Sequence, residues 1–325
     1  MTNVAIVGLG NIGRVHLSNL RSLRGCRVTG AFDTNSTPGG SGIPAYPSLE
    51  SVLADAQVHA VVIATPSDTH AGIATAALRA GKHVFVEKPL AGNLQDAESL
   101  AAAAREHTAL VVQVGFCERF NVNYLEARRA VGEGKLGDLR CIATTRVAPY
   151  RLSNPARELG VLDTAVHNLD LILWMKRQPP ISVLSRGTQV YPESSIPHAA
   201  TTILTFADGS IAIDQIAWLQ DDNFPLNHCA RSRMTLQGTD GYFEIDLTSR
   251  PSALHTRERY RLIDTVLIGA PEYAGCLKLQ FEYFLRSIEE GTEVLAPADD
   301  ALLTERVALA ALESLRSGQE ISFVA

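Results

Sequence analysis

Over the first 115 residues, short apolar runs alternate with stretches of helical period. Val4–Val7, Arg27–Phe32, His59–Ala64, His83–Val86 and Leu110–Val114 read as strands. Helices fit the residues between them: Asn11 to about Leu23, Ser48–Ala54, Asp68–Ala80 and about Leu94–Glu106, with Gly81 as a helix cap. Strands that are apolar throughout are buried on both faces, so the pattern predicts a parallel sheet with helices on either side. The second half has a different rhythm. Thr201–Phe206 and Ile211–Ile216 flank Ala207-Asp208-Gly209-Ser210, and Met234–Gln237 and Tyr242–Ile245 flank Gly238–Gly241. An Asp-Gly turn between β-rich runs predicts a hairpin. Arg140–Val147 and Ser182–Val190 are further strands, and Leu277, Phe281, Phe284, Leu285 and Ile288 share one helical face. Ala301–Leu315 is a last helix. The expected architecture is α/β: a doubly wound parallel sheet over residues 1–117, then an α+β domain over 118–325 with a large, open, mainly antiparallel sheet.

Gly8-Leu9-Gly10-Asn11-Ile12-Gly13 follows the first strand and opens the first helix. In that context GxGxxG is a phosphate-binding turn. Gly8 permits the tight turn, Gly10 lets the backbone approach a pyrophosphate, and Gly13 lets helix and strand pack closely. The amides at Asn11, Ile12 and Gly13 then face an anion. Asp33 ends the second strand, where an acid holds the adenosine ribose hydroxyls. No lysine or arginine occurs from Thr34 to Pro47 to take a 2′-phosphate, so NAD is expected over NADP.

Two more polar segments leave strand ends, Ala64-Thr65-Pro66-Ser67-Asp68-Thr69-His70 and Glu87-Lys88-Pro89. In an open parallel sheet, ligands bind beyond the carboxyl ends of the strands. The proline predicts an extended turn at Lys88. Together with GLGNIGRVH (8–16) and the Asp163-xxx-His167 pair, these motifs resemble the Gfo/Idh/MocA family of oxidoreductases along essentially the whole chain. The resemblance implies a Rossmann domain, a C-terminal domain with a large sheet, and NAD(P)-linked redox chemistry at a hydroxyl of a sugar, cyclitol or nucleotide-linked sugar. It also implies an active-site trio of Lys88, Asp163 and His167. Thr65, Pro66 and His70 would line the nicotinamide side, with Glu87 and Lys88 also at the cofactor; His70 reads equally as a helix-start residue. Arg119, in Glu118-Arg119-Phe120-Asn121, is a candidate substrate ligand or an interdomain salt bridge. One departure stands out: Glu158-Leu159-Gly160-Val161-Leu162, a glycine-rich stretch in relatives, has one glycine here.

The chemistry follows from residue type. Oxidising a secondary alcohol needs a base for the hydroxyl proton, and a histidine suits that role. Asp163 and His167, at i and i+4, share a helix face, so Asp163 can bind a neighbouring hydroxyl or orient the imidazole. The Lys88 cation stabilises a developing alkoxide. An exchange of roles, with Lys88 moving the proton, is the alternative. A non-catalytic nucleotide sensor on the same fold is the alternative function.

Composition narrows the class further. Lysine plus arginine is 29 against 35 acids, a net charge of −6 with no basic run, which argues against nucleic acid. No apolar run spans a membrane and no signal peptide is expected at Met1-Thr2-Asn3. Five scattered cysteines (Cys26, Cys117, Cys141, Cys229, Cys276) without a CxxC suit a reducing cytoplasm. Asp163 and His167 lack companion ligands for a metal. The open sheet is expected to pair subunits, as a dimer or a tetramer.

Overall fold

The computed structural model describes residues 1–35, 42–149, 162–189, 197–219, 231–247, 252–256, 260–263 and 275–323. The Glu158–Val161 stretch, Val190 and Cys229 lie outside them. The chain forms two compact units, Met1–Phe120 with Ala270–Leu302, and Asn121–Gly269 with Leu303–Ala325.

The first unit is built on β1 (Thr2–Val7), β2 (Cys26–Phe32), β3 (Ala60–Ile63), β4 (His83–Val86) and β5 (Val112–Val114), all parallel, in the order β2-β1-β3-β4-β5. The order reverses direction between β1 and β3, the switch point at which such sheets bind ligands. Val4, Ala5, Ile6 and Val7 are at most 1% exposed, as a strand covered on both faces demands. The helices are α1 (Asn11–Arg21), α2 (Leu49–Ala54), α3 (His70–Arg79) and α4 (Leu94–Glu106). Gly81 ends α3's turn at φ +73°, donating to Leu78 O.

A single boundary at 117/118 does not describe this unit. The chain returns to it with α7 (Cys276–Glu290), whose Phe281, Phe284 and Leu285 join Val4, Ile6, Val62 and Phe85 in one core. The apolar face expected on that helix is real; its partner is the parallel sheet. Gly291, at φ +66°, closes α7 by donating to Ser287 O.

The second unit carries α5 (Val122–Gly132), β6 (Leu139–Pro149), α6 (Leu162–Lys176), β7 (Ser182–Thr188), β8 (Ala199–Thr205), β9 (Ile211–Leu219), β10 (Arg231–Gly238), β11 (Gly241–Asp246), β12 (Ser252–Thr256) and β13 (Tyr260–Ile263). Most of α8 (Ala298–Ser317) and β14 (Ile321–Ser322) complete it. Its nine strands run β13-β12-β11-β10-β6-β9-β8-β7-β14, antiparallel except for the β6–β9 pair. Both expected hairpins form, with Thr205 opposite Ile211 and Gln237 opposite Tyr242. Gly209 takes φ +75° in the first turn, a value that favours glycine. One face of the sheet packs on α5, α6 and α8 through Ile142, Leu204, Ala212, Ile216, Leu236 and Val307. Trp174 and Trp218 are buried in this core.

Candidate active site

The five residues that directly follow β1 to β5 are Gly8, Asp33, Ala64, Glu87 and Gly115. Parallel pairing in register sets them along one edge of the sheet.

The glycine loop behaves as its spacing predicts. Gly8 has φ +96°, and a Cβ on it would lie 2.6 Å from Ala64 O. A Cβ on Gly13 would lie 2.1 Å from Gly8 O, so that position admits only glycine without a backbone shift. Gly10 differs: among the described residues nothing lies within 4 Å of its Cβ position. It precedes α1 without a side-chain cap, and the helix has no acid in its first turn. The amides of Asn11, Ile12 and Gly13, which no earlier turn can satisfy, are thus left for an anion. Asp33 lies against this loop: Leu9 N donates to its Oδ2 at 2.6 Å and Asn35 N to its Oδ1 at 2.7 Å. A bare glycine edge, an uncapped helix start and a carboxylate fixed beside them fit a dinucleotide.

Beyond β3, Thr65 is half-buried, with Thr69 Oγ1 2.7 Å from its hydroxyl, and Pro66 is exposed. Beyond β4, Lys88 is half-buried and its peptide bond to Pro89 is cis. Three expected ligands have hydrogen-bond partners inside the fold. His70 is 1% exposed, with Nδ1 2.8 Å from Pro89 O and Nε2 2.9 Å from Thr65 O. It ties the two strand-end segments together. Glu87 points inward, with Oε1 2.7 Å from His16 Nε2 and Oε2 accepting from Lys88 N at 3.1 Å. Arg119 is fully buried, its Nη1 donating to Leu295 O and Asp300 Oδ2, both at 2.6 Å. This is an ion pair between the buried guanidinium and Asp300, a residue of the same unit.

In the second unit, Asp163, Thr164 and His167 are the residues of the first three turns of α6 that keep partial exposure; Leu162, Ala165, Val166 and Asn168 through Met175 are buried. Thr164 Oγ1 accepts from Trp218 Nε1 at 2.9 Å, which fixes this end of the helix. Directly after His167, Asn168 enters a buried polar network that sequence reading missed. Its Oδ1 accepts from Arg146 Nε at 3.0 Å and its Nδ2 donates to Asp214 Oδ1 at 2.7 Å, where Thr144 Oγ1 also donates at 2.8 Å. Alternation along β9 carried the signal, since Asp214 lies on the inward face between Ala212 and Ile216.

Burial pushes the Asp214 carboxyl up to about 6, against the pull of Asn168, Thr144 and Arg146. From about pH 4 to 6 the folded state keeps a proton that the unfolded chain has lost. Stability therefore falls as pH rises through that window and levels off above it. Asp214→Asn, which carries no charge, is expected to melt several degrees above the parent at pH 8. A shift of this size corresponds to about 3 kcal/mol at most, and the difference should vanish near pH 4. Scanning calorimetry at pH 4, 6 and 8 measures it.

Comparison with known proteins agrees with this fold. Residues 2–116 match the family model described as the oxidoreductase family with an NAD-binding Rossmann fold, and residues 124–244 match the GFO/IDH/MocA C-terminal domain. An inositol 2-dehydrogenase of Rhizobium meliloti is 26% identical over 98% of both chains. A UDP-N-acetylglucosamine 3-dehydrogenase of Acidithiobacillus ferrooxidans is 26% identical over 95% of this chain and 94% of its own. The fold superposes on a Lactobacillus casei scyllo-inositol dehydrogenase, solved with bound NAD(H) and scyllo-inositol, with a TM-score of 0.83 at 23% identity over 99% of each chain. Among the described residues no cluster of three or more His, Cys, Asp or Glu could hold a metal, and no helix is long and apolar enough to cross a membrane. With a glycine-loop nucleotide domain and a nine-stranded partner domain both matched, the chain belongs to the Gfo/Idh/MocA family of oxidoreductases.

Proposed function

We propose that this protein oxidises a secondary hydroxyl of a cyclitol or sugar with NAD. The observation that carries the proposal is the row of strand ends: it sets Lys88 on the same sheet edge as the glycine loop and Asp33. The inositol dehydrogenase relative, aligned end to end, supports a cyclitol as the first substrate to try. Gly8, Gly10, the amides of Asn11–Gly13, Asp33 and Thr65 hold the dinucleotide. Bound NAD supplies the hydride acceptor. The chain's own residues manage the proton: His167 takes it from the substrate hydroxyl, Lys88 stabilises the negative charge that grows on that oxygen, and Asp163 binds the neighbouring hydroxyl or orients the imidazole.

The test is direct. Purified protein with NAD is offered inositols, free sugars and nucleotide sugars, and NADH is followed by absorbance. Turnover on one of them supports the proposal; bound nucleotide with no turnover on any would favour a sensor. Asp33 makes a separate prediction. A carboxylate beside the loop repels a 2′-phosphate, so Asp33→Ala is expected to weaken NAD binding by about tenfold and to narrow the preference over NADP. Calorimetric titration with both nucleotides reads this.

Two further readings accompany the catalytic one. The open sheet face, with Ile203, Ile213 and Val147 half-buried and Ile211 exposed, supports pairing with a second copy into a dimer or tetramer, which light scattering would resolve. The free cysteines Cys26, Cys117, Cys141 and Cys276 support a cytoplasmic location.

A further inference from the structure

His16 lies on α1, three residues beyond Gly13, and is fully buried. A buried histidine of that kind ordinarily finds partners for both ring nitrogens. This one does not. Nε2 sits 2.7 Å from Glu87 Oε1, and Nδ1 has no hydrogen-bond partner among the described residues. The ring meets Phe85 and Phe281 edge-on, at centroid distances of 5.6 and 4.9 Å. A leucine would fill such a space without stranding a nitrogen. Among the described residues the ring's only polar contact is to Glu87, and Nε2, facing a carboxylate, is the nitrogen that donates to it.

Glu87 in turn is seated in a space made for it. A Cβ on Gly115 would lie 2.8 Å from Glu87 Oε1, so glycine at the end of β5 is what admits the carboxylate. Its other oxygen accepts from the backbone N–H of Lys88 at 3.1 Å. That bond fixes the peptide plane from which the Lys88 side chain departs. The path runs from the phosphate-binding helix to the lysine turn entirely within the first unit: His16, Glu87, Lys88 N.

We propose that His16 is a positioning residue for Lys88, acting through the Glu87 carboxylate. The inference rests on the reading of Lys88 as an active-site group. In that setting, a small misdirection of the lysine is costly to turnover and nearly silent in nucleotide binding.

The test compares His16→Leu, His16→Gln and His16→Asn. Glutamine places an amide nitrogen where Nε2 stood; asparagine places it near Nδ1, away from Glu87. Three quantities are read on the full-length protein: NAD affinity by calorimetry, the rate of Lys88 acetylation by a pulse of acetic anhydride with mass spectrometry, and kcat on whichever polyol is turned over. The expected result for Leu and Asn is a kcat lowered by about 10- to 100-fold and a changed Lys88 labelling rate, with NAD affinity within about threefold of the parent. Glutamine is expected to restore both. Leu and Asn variants that melt lower yet keep the parental kcat and labelling rate would overturn the inference and leave His16 as filling. If Leu does not fold, the Gln–Asn pair decides, since both are polar and differ in where the donor sits. If the parent turns over no polyol, the functional reading fails on its own, and the labelling rates still report whether His16 governs Lys88.

Discussion

Lys88→Ala is expected to lower polyol-dependent NADH production by about 10²- to 10³-fold while leaving NAD affinity nearly unchanged. Losing one group that stabilises a developing oxyanion typically removes about 3–4 kcal/mol of transition-state stabilisation. An interaction made only in the transition state appears in kcat and kcat/KM alike, so KM for the polyol should move little. Lys88→Arg is not expected to rescue, because a planar fork cannot replace a compact ammonium at a fixed point. His167→Ala is expected to cost about 10²- to 10⁴-fold, the range for a lost general base. The two variants also separate the roles. If turnover survives at His167→Ala and vanishes only at Lys88→Ala, the lysine moves the proton. Steady-state kinetics with saturating NAD, paired with calorimetric NAD titration, reads every arm.

Much of this was legible in the residues because buried strands and tight turns leave local marks. Val4–Val7 and Ala60–Ile63 are apolar throughout because both sheet faces are covered, and all eight are at most 1% exposed. The Asp208-Gly209 hairpin was legible for the same local reason. What was not legible is long-range. Helix α5 escaped notice because its buried face is built from Asn123, Tyr124, Ala127 and Ala130, with Val122 left exposed, so it has no apolar stripe to read. The face of α7 was evident, but nothing near residue 281 says that it packs on strands that begin at residue 2. Arg119, His70 and Glu87 show the limit most clearly. Their chemical type and their place after a strand both suit a ligand site. The direction of each side chain depends on a partner far along the chain: Asp300 for Arg119, Pro89 O for His70, His16 for Glu87. Side chains at a strand end can point out to a ligand or back into the fold, and spacing alone does not choose.

The glycine loop offers the second large effect, because its three glycines are required for different reasons and single methyl groups can tell them apart. Gly13→Ala forces a Cβ to within 2.1 Å of Gly8 O, a backbone atom that cannot rotate away. The helix must lift from the strand, so a melting temperature lowered by several degrees and the loss of measurable NAD binding are expected together, from overpacking of about 1–3 kcal/mol or more. Gly10→Ala puts its methyl into open space, where the free protein has nothing to collide with. Its stability should fall by no more than about 1 kcal/mol, the ordinary cost of alanine for glycine at a helix N-cap. Yet NAD affinity should drop by about 10- to 100-fold, because backbone that must approach a pyrophosphate closely now carries a side chain. Thermal melting and calorimetric titration on the two variants give a two-by-two outcome. A Gly10→Ala protein that melts normally and binds NAD as tightly as the parent would show that the dinucleotide does not lie on this loop. The pattern expected is loss of both properties at Gly13 and of binding alone at Gly10, which separates the glycine needed for packing from the glycine needed for the cofactor.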